Sequence, residues 1–421
     1  MTETARAAFD AQLAHAQSTL RRLQQLEPML IDVSLREPCF SSYYGQTLQN
    51  KIELLPLIER FGFKDKIIAT LDFQDPAHPQ VENQFCAWLV ETGYDMRGCF
   101  ALTAVGRFGP DGQFVPDLSM RALVGYHIPN TMHEIYLMTP EASDHALVLR
   151  RIAASLAWLR QHMTGEHGGA PRIFMNLVDL MDAFYADPDW AAQVLALLAA
   201  QNVDAVSFED GRGTFFPFQV GAMVRAAKAL LWPAQKLLFH AHTGNGMENA
   251  SVLEALLAGA DGYWAGMEKQ SSTIGHASMG ELIANLLRAG NAHVARAYRV
   301  ETLLPTCHAM HVINNKDAPP HDWPVQGSNA YRQMYSGFDQ SPGRLMDLPP
   351  ELIGARYTYR ISPVGSDLPV IQGRVREVMG IAIDEACAKR MILLMRDDLN
   401  AGIRLRYDDP GQLEALYLRA M

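Results

Sequence analysis

The feature that most constrains the fold is a regular alternation of short apolar runs with longer segments of helical periodicity. Four such pairs follow one another in the middle of the chain, a strand and then a helix each time: 172–176 and 187–201, 205–208 and 217–231, 236–240 and 248–259, 262–265 and 279–290. This alternation indicates βαβ units and a parallel sheet. Because eight units fit in roughly 270 residues, we predict a (β/α)₈ TIM barrel. No GxGxxG follows a strand, so the main sequence cue for a Rossmann fold is missing.

The N-terminal part of the chain continues the pattern with interruptions. Helical periodicity predicts helices at 5–27, 47–61 and 143–163, and apolar runs predict strands at 29–31, 66–71 and 134–138. The region 86–133 contains GRFGPDGQF and breaks the rhythm, so we expect a loop or hairpin insertion there. From about residue 303, Pro and Gly punctuation indicates an extended linker and a small, mostly helical subdomain. The predicted parts are an N-terminal helix (1–28), a metal-binding barrel (29–300), and a linker with the C-terminal subdomain (301–421).

Composition excludes several classes of protein. The formal charge of −10 argues against a nucleic-acid surface, which is usually basic. The five cysteines are scattered without a CxxC pair, which is not a disulfide framework, and we therefore expect a cytoplasmic protein. The first residues, MTETARAAFDAQLAHAQ, lack the apolar core of a signal peptide. No run of eighteen apolar residues is present, so we expect no membrane-spanning helix.

Two histidines near the end of one predicted strand are the first candidates for chemistry. In FHAHTGNG (239–246), His240 and His242 are two residues apart, and alternate strand residues point to the same face. Both imidazoles can therefore reach one divalent metal ion, at the carboxyl end of a barrel strand where barrel enzymes place their sites. Two histidines hydrogen-bonded near a strand end are the structural alternative.

The end of the first predicted strand supplies complementary groups. The segment LIDVSLREPCFSS (30–42) places Arg36 and Glu37 directly after that strand. Glu37 can give the ion an oxygen ligand, and Arg36 can neutralise charge that develops on a polarised carbonyl oxygen. A solvated surface pair is the alternative for these two residues. Asp32 is expected to orient the loop.

With these motifs the chain resembles the DRE-TIM metallolyase superfamily, above all its condensing branch of 2-isopropylmalate, citramalate and homocitrate synthases. The segment 32–37, DVSLRE, is similar to the family's D-x-T-L-R-[DE] signature, and His240 and His242 match its HxH. The resemblance implies that Arg36 assists catalysis and that Glu37, His240 and His242 bind a divalent Zn, Mn or Mg ion. Segment 325–343 is similar to a condensing-enzyme motif, and 353–400 resembles the branch's small subdomain. A homodimer is implied by the resemblance alone.

Further segments resemble the family's substrate-binding loops. Residues 139–145, ending in His145, resemble the segment after the fourth strand, and 209–217, which include Asp210, resemble the segment after the sixth. The family's GERxGN run, which helps to bind acetyl-CoA, is GHASMG at 275–280, where His276 and Ser278 become candidate substrate contacts. The family's catalytic histidine is replaced by Asp339, a carboxylate that could still transfer a proton.

These residues leave three functions open. The first is a Claisen-type acyltransferase that joins an acyl-CoA, such as acetyl-CoA, to a 2-oxo acid. The second is a metal-dependent carbon–carbon lyase, aldolase or decarboxylase that acts on a 2-hydroxy or 2-oxo acid, which the altered GERxGN run and Asp339 favour. The third is a catalytically impaired, metal-bearing scaffold.

Overall fold

The computed structural model describes residues 2–38, 42–71, 80–270, 274–338 and 348–421. Within it the chain divides into two compact units, Met1–Ala318 and Pro319–Met421. The boundaries predicted from the sequence for the N-terminal helix and the linker stay predictions.

The first unit is a closed barrel of eight parallel strands. In chain order the barrel strands are Met29–Asp32, Asp65–Thr70, Cys99–Ala104, Asn130–Ile135, Arg172–Leu177, Ala205–Asp210, Lys236–Ala241 and Gly262–Ala265. Each strand pairs with the next along the chain, and the first closes the ring by pairing with the eighth, Ile31 opposite Trp264. The predicted (β/α)₈ TIM barrel is therefore confirmed.

Helices surround this barrel and bury their apolar faces against it. The helices of the first unit are Glu3–Gln25, Leu48–Phe61, Val81–Glu91, Leu118–Gly125, His145–His162, Leu180–Ala186, Pro188–Ala200, Pro217–Leu230, Glu248–Ala258, Met279–Ala289, Ala292–Ala297 and Leu303–Asn315. The barrel interior is filled by buried side chains from alternate strand positions, as expected for a packed barrel core. They include Ile31, Ile67, Phe100, Met132, Phe174, Leu238 and Trp264.

The fourth-strand prediction and the interpretation of the 86–133 region were wrong in part. The predicted strand at 134–138 is Asn130–Ile135, and Tyr136 and Met138 beyond it are about half exposed. The 86–133 region does hold the expected hairpin, Arg107–Phe108 paired with Phe114–Val115, but it also holds the third barrel strand, Cys99–Ala104. Two features of the strand sequences explain both errors. CFALTA lies beside turn-forming residues, and NTMHEI is polar although every residue in it is buried.

The second unit is small and mostly helical, as predicted. Its helices are Leu368–Met379, Glu385–Asn400 and Pro410–Ala420, and a short parallel pair of strands joins Arg332–Gln333 to Thr358–Tyr359. The three helices meet in one apolar core that includes Ile371, Val375, Met391, Met395, Leu413 and Leu416.

Two expectations from composition can be compared with the described residues. None of the helices there combines the length and apolar character that crossing a membrane requires. Cys86, Cys99, Cys307 and Cys387 are buried free thiols, and burial raises the pKa of the Cys86 and Cys99 thiols to about 12. The Cys86 and Cys99 thiols are therefore neutral, and all four side chains belong to the packed interior.

Candidate metal centre

His240 and His242 converge at the carboxyl end of the seventh barrel strand, with their Nε2 atoms 3.1 Å apart. The Nδ1 of His240 lies 2.6 Å from the Trp264 carbonyl oxygen, and the Nδ1 of His242 lies 3.1 Å from the Gly275 carbonyl oxygen. A carbonyl oxygen only accepts, so each Nδ1 is the N–H nitrogen of its ring and Nε2 is left to bind a ligand. Burial lowers the pKa of His240 well below its usual value, which keeps the ring neutral. Both Nε2 lone pairs therefore face one point.

Two facing lone pairs repel, and a cation bound to both nitrogens removes that repulsion. An ion at the usual metal–imidazole distance of about 2.0–2.1 Å from each nitrogen subtends an N–metal–N angle of about 100°. That angle lies between the octahedral and tetrahedral values, so the histidine pair fits a divalent metal ion.

Glu209 is the third member of this group. It is the penultimate residue of the sixth strand and pairs with His240, and its ligand oxygen and the two histidine nitrogens all lie within 4.8 Å of one another. The carboxylate is almost fully buried, at 8% exposure, and burial raises its pKa. The Asn176 Nδ2 donates to Glu209 at 2.6 Å and to Glu134 at 2.9 Å, which fixes both carboxylates. Of the described residues, only Glu209, His240 and His242 form such a group.

Arg36 and Glu37 lie beside the histidines as an ion pair. Glu37 is buried at 2% exposure and contacts Arg36, whose Nε donates to the Thr70 Oγ1 at 2.5 Å. Burial alone would raise the pKa of the Glu37 carboxyl, but the adjacent Arg36 guanidinium holds it well below the usual range. Glu37 is therefore an anion next to the histidine pair. The group whose ligand atoms lie within 4.8 Å of one another, however, contains Glu209 and not Glu37.

A cavity of about 510 Å³ opens above this group at the carboxyl ends of the strands. Its lining includes Arg36, Glu37, Glu134, Glu209 and His242, together with Asp182 from the helix Leu180–Ala186 and Arg212 from the loop after the sixth strand. Two further lining carboxylates, Asp179 and Asp210, accept hydrogen bonds from backbone N–H groups. Asp179 accepts from the backbone N–H groups of Leu137 and Met138, at 2.6 and 2.9 Å.

The loops after the sixth and seventh strands are held together at two glycines. Gly213 has φ +60°, and a Cβ there would lie 2.2 Å from the His242 carbonyl oxygen. A Cβ on Gly244 would lie 2.0 Å from the Arg212 carbonyl oxygen. Because both approaches exclude a side chain, these glycines fix the loop that carries Arg212 against the loop that carries His242.

The remaining predicted site residues occupy different places. Asp210 lines the cavity, and its carboxylate accepts from the backbone N–H groups of Thr214 and Phe215 at 3.0 and 3.1 Å. His145 is not among the lining residues and stacks on Trp190, with ring centroids 3.9 Å apart. Asp339 lies outside the described residues.

His276 and Ser278 are fully buried and turned into the protein rather than toward the cavity. The Nε2 of His276 lies 3.1 Å from both the Gly266 backbone nitrogen and the Glu268 carbonyl oxygen, and burial lowers its pKa to about 3. Ser278 caps the helix Met279–Ala289, because its Oγ accepts from the Glu281 N–H at 3.2 Å. Both residues support the loop that holds His242.

The sequence analysis assigned no site role to Glu209 or Arg212. Both lie in the segment EDGRG (209–213), in which only Asp210 was predicted to bind substrate. The available signal was the acidic residue before Asp210, at the end of a strand adjacent to the histidine strand in the barrel order.

Comparison with known proteins agrees with this architecture. No protein-family model matches the chain. The chain is 24% identical over 226 residues to (R)-citramalate synthase of Streptomyces coelicolor, which covers 51% of this chain and 42% of that protein. It is 26% identical over 214 residues to 2-isopropylmalate synthase of Nitratidesulfovibrio vulgaris, covering 49% and 41%. The chain thus spans less than half the length of these curated relatives.

Among solved structures, HMG-CoA lyase of Bacillus subtilis matches with a TM-score of 0.55 at 14% identity, over 70% of this chain and 96% of that one. This likeness shows a shared fold. The closed parallel barrel, with two histidines and a carboxylate at its carboxyl mouth, defines a TIM barrel with a candidate metal site. In sequence and in fold the chain is thus similar to members of the DRE-TIM metallolyase superfamily, from which it has diverged.

Proposed function

We propose that this protein is a metal-dependent enzyme that joins an acyl-CoA to a 2-oxo acid by a Claisen-type condensation. One observation carries the proposal: two histidines aim their Nε2 atoms at one point, 3.1 Å apart, beside a buried carboxylate and under a cavity. The sequence similarity to a citramalate and an isopropylmalate synthase supports a condensing reaction.

His240, His242 and Glu209 would hold the ion, and Glu37 is the nearest candidate for a further oxygen ligand. Two imidazoles with carboxylates suit Zn, Mn or Mg. A divalent ion held by these residues would supply Lewis-acid chemistry, which would make the ketone carbon of a 2-oxo acid more electrophilic.

Two guanidinium groups are available to the acid. Arg36, fixed between Glu37 and Thr70, lies where it can donate to the ketone oxygen as that oxygen becomes an alkoxide. Arg212 also lines the cavity and makes no ion pair or side-chain hydrogen bond with any described residue. We assign it to the far end of the acid, where a guanidinium can bind a second carboxylate.

The condensation needs a base for the α-carbon of the thioester. Asp182, an exposed carboxylate on the helix Leu180–Ala186, lines the cavity, and partial desolvation together with Asp179 and Asp210 raises its pKa. As a carboxylate it takes the α-proton, the carbanion attacks the ketone carbon, and the ketone π electrons move to oxygen, which is then protonated. Water then cleaves the thioester to release CoA and a carboxylic acid. Asp339 remains a second candidate for these proton transfers.

A metal-dependent lyase of 2-hydroxy or 2-oxo acids is the second candidate. The specific observation is the segment 275–280, at the position of the family's acyl-CoA loop, where His276 and Ser278 point inward and do not line the cavity. In this reaction the same base takes the proton of the hydroxyl group of a hydroxy acid, and the oxygen forms a carbonyl as the carbon–carbon bond breaks. The electron pair of that bond stays on the leaving carbon, which the protonated base then protonates.

Incubation of the metal-loaded protein with acyl-CoAs and a panel of 2-oxo acids tests the condensation, and release of free thiol is the signal. Thiol release that requires both substrates and disappears in His240→Ala supports it. Pyruvate or acetate released from hydroxy acids, without thiol release, would favour the lyase instead. Bound metal without turnover of any acid would support the impaired scaffold and contradict both reactions.

A further inference from the structure

A cavity of about 770 Å³ lies within the second unit, apart from the barrel site. Four arginines line it, contributed by three separate stretches of the unit: Arg332, Arg360, Arg404 and Arg406. Two acidic residues, Asp322 and Asp408, also belong to the lining. The lining therefore carries a net charge of about +2, in a chain whose formal charge is −10.

Only two of the four arginines in the lining, Arg332 and Arg406, form ion pairs with aspartates among the described residues. Asp408 is 8% exposed and is occupied by Arg332, at 2.9 Å, and by Arg374, at 3.2 Å. Its Oδ1 also accepts from the Ile361 N–H at 3.1 Å. Arg406 has its own partner, Asp409, at 3.2 Å.

Arg360 and Arg404 have no such partner. Their side chains make no hydrogen bond or ion pair with any residue in the described part of the chain, yet they line the same concave surface. Like charges held in one cavity repel each other, and an anion between them converts that repulsion into attraction. Guanidinium groups suit phosphate in particular, because their planar N–H pairs bind two oxygens at once.

The remaining lining is suited to the organic part of a ligand. Met334, Ile361 and Leu405 give the cavity apolar surface, and Ser328 and Ser362 add neutral hydrogen-bonding groups. A volume of 770 Å³ exceeds the needs of an inorganic ion and lies within the usual range for small-molecule sites, about 300–1,000 Å³.

We propose that this cavity binds a phosphorylated small molecule of nucleoside-diphosphate size, with its phosphates on Arg360 and Arg404. The proposal is independent of the barrel chemistry, since every residue that carries it belongs to the second unit.

Isothermal titration of the full-length protein with ADP, pyrophosphate and adenosine at low salt tests this proposal. We expect ADP to bind at least about tenfold more tightly than either adenosine or pyrophosphate, because both parts of the ligand contribute. Arg360→Gln/Arg404→Gln should weaken ADP binding by about tenfold or more. The matched control is Arg356→Gln/Arg396→Gln, which removes the same charge from exposed positions of the same unit outside the cavity.

Circular dichroism and thermal unfolding verify that each double variant folds. The proposal is overturned if millimolar ADP does not bind to the wild-type protein, or if the control variant loses as much affinity as the cavity variant. Binding of pyrophosphate as tight as that of ADP would overturn the assignment of the organic part.

Discussion

Trp264 lies flat against His240, with ring centroids 3.7 Å apart and planes inclined by 8°. Its carbonyl oxygen accepts the hydrogen of His240 Nδ1, and its indole Nε1 donates to the Ser207 Oγ at 2.6 Å. One residue of the eighth strand therefore orients a histidine of the seventh through both its backbone and its side chain.

This contact predicts a stability effect with a clear control. Trp264 is 1% exposed, so Trp264→Ala should lower the free energy of unfolding by about 3–5 kcal/mol through lost packing. Trp232 is 61% exposed, and Trp232→Ala should change that free energy by less than about 0.5 kcal/mol. Urea unfolding monitored by circular dichroism measures both, and equal losses would contradict the assigned core role of Trp264.

The ligand group predicts which substitutions release metal. His240→Ala and Glu209→Gln should each reduce bound metal, with a loss of affinity of at least about tenfold. The control is Glu301→Gln, at an exposed position distant in sequence, which should bind metal like the wild type. Elemental analysis after dialysis gives the answer. Full metal content in Glu209→Gln would remove Glu209 from the ligand set and leave Glu37 as the carboxylate ligand.

Arg212 predicts an effect on substrate binding that leaves the metal in place. If it binds a second carboxylate of the acid, Arg212→Gln should raise KM for dicarboxylic 2-oxo acids by about tenfold or more. KM for pyruvate, which lacks that group, should change little. Elemental analysis verifies that the ion is retained, and Arg296→Gln, an exposed arginine outside the cavity, is the control. An equal change for both acids would show that Arg212 does not read the second carboxylate.

Asp182 predicts the acid side of the pH–rate profile. Partial desolvation, Asp179 and Asp210 raise the pKa of its carboxyl above the usual 3.8, and a base must be deprotonated to work. Activity should therefore fall as the pH drops through this raised pKa. Asp182→Asn should lower kcat by about 10²–10⁴-fold, whereas exposed Asp189→Asn should not. If kcat were unchanged in Asp182→Asn, Asp182 would not be the base, and Asp339 would be the next candidate to test.

The second unit holds a carboxylate whose charge supports the fold. Arg419 donates to both oxygens of Asp398, at 2.7 Å each, and Tyr407 contacts the same group. These hydrogen bonds, Arg419 first, lower the pKa of Asp398 from 3.8 to about 2. The carboxylate therefore stabilises the fold above about pH 4, and this contribution is lost as the pH falls toward 2.

Hydrogen exchange of the helix Pro410–Ala420 measures this contribution directly. Asp398→Asn should speed exchange at pH 7, and the difference from the wild type should shrink below pH 4. Asp397→Asn, at the exposed neighbouring position, serves as the control. A difference that is the same at pH 3 and pH 7 would mean that the charge of Asp398 contributes nothing.

The sequence predicts those parts of the site whose residues are close together in the chain. The pairing of His240 with His242 follows from strand geometry alone, and Arg36 with Glu37 follows from their place after a strand. Glu209 could not be assigned, because its position opposite His240 is set by the pairing register between two strands. The third strand was not predicted, because CFALTA shows no alternation of apolar and polar residues and no helix of regular length follows it.

The pairing of the first barrel strand with the eighth also bears on how the site assembles during folding. Arg36 and Glu37 precede Glu209, His240 and His242 by more than 170 residues, and they become neighbours only when Ile31 has paired with Trp264. Contacts between segments so distant in sequence slow folding, because a long loop must close before they form. We therefore predict that Arg36 joins the histidine pair late in assembly, and stopped-flow refolding with a metal-sensitive probe should report barrel closure.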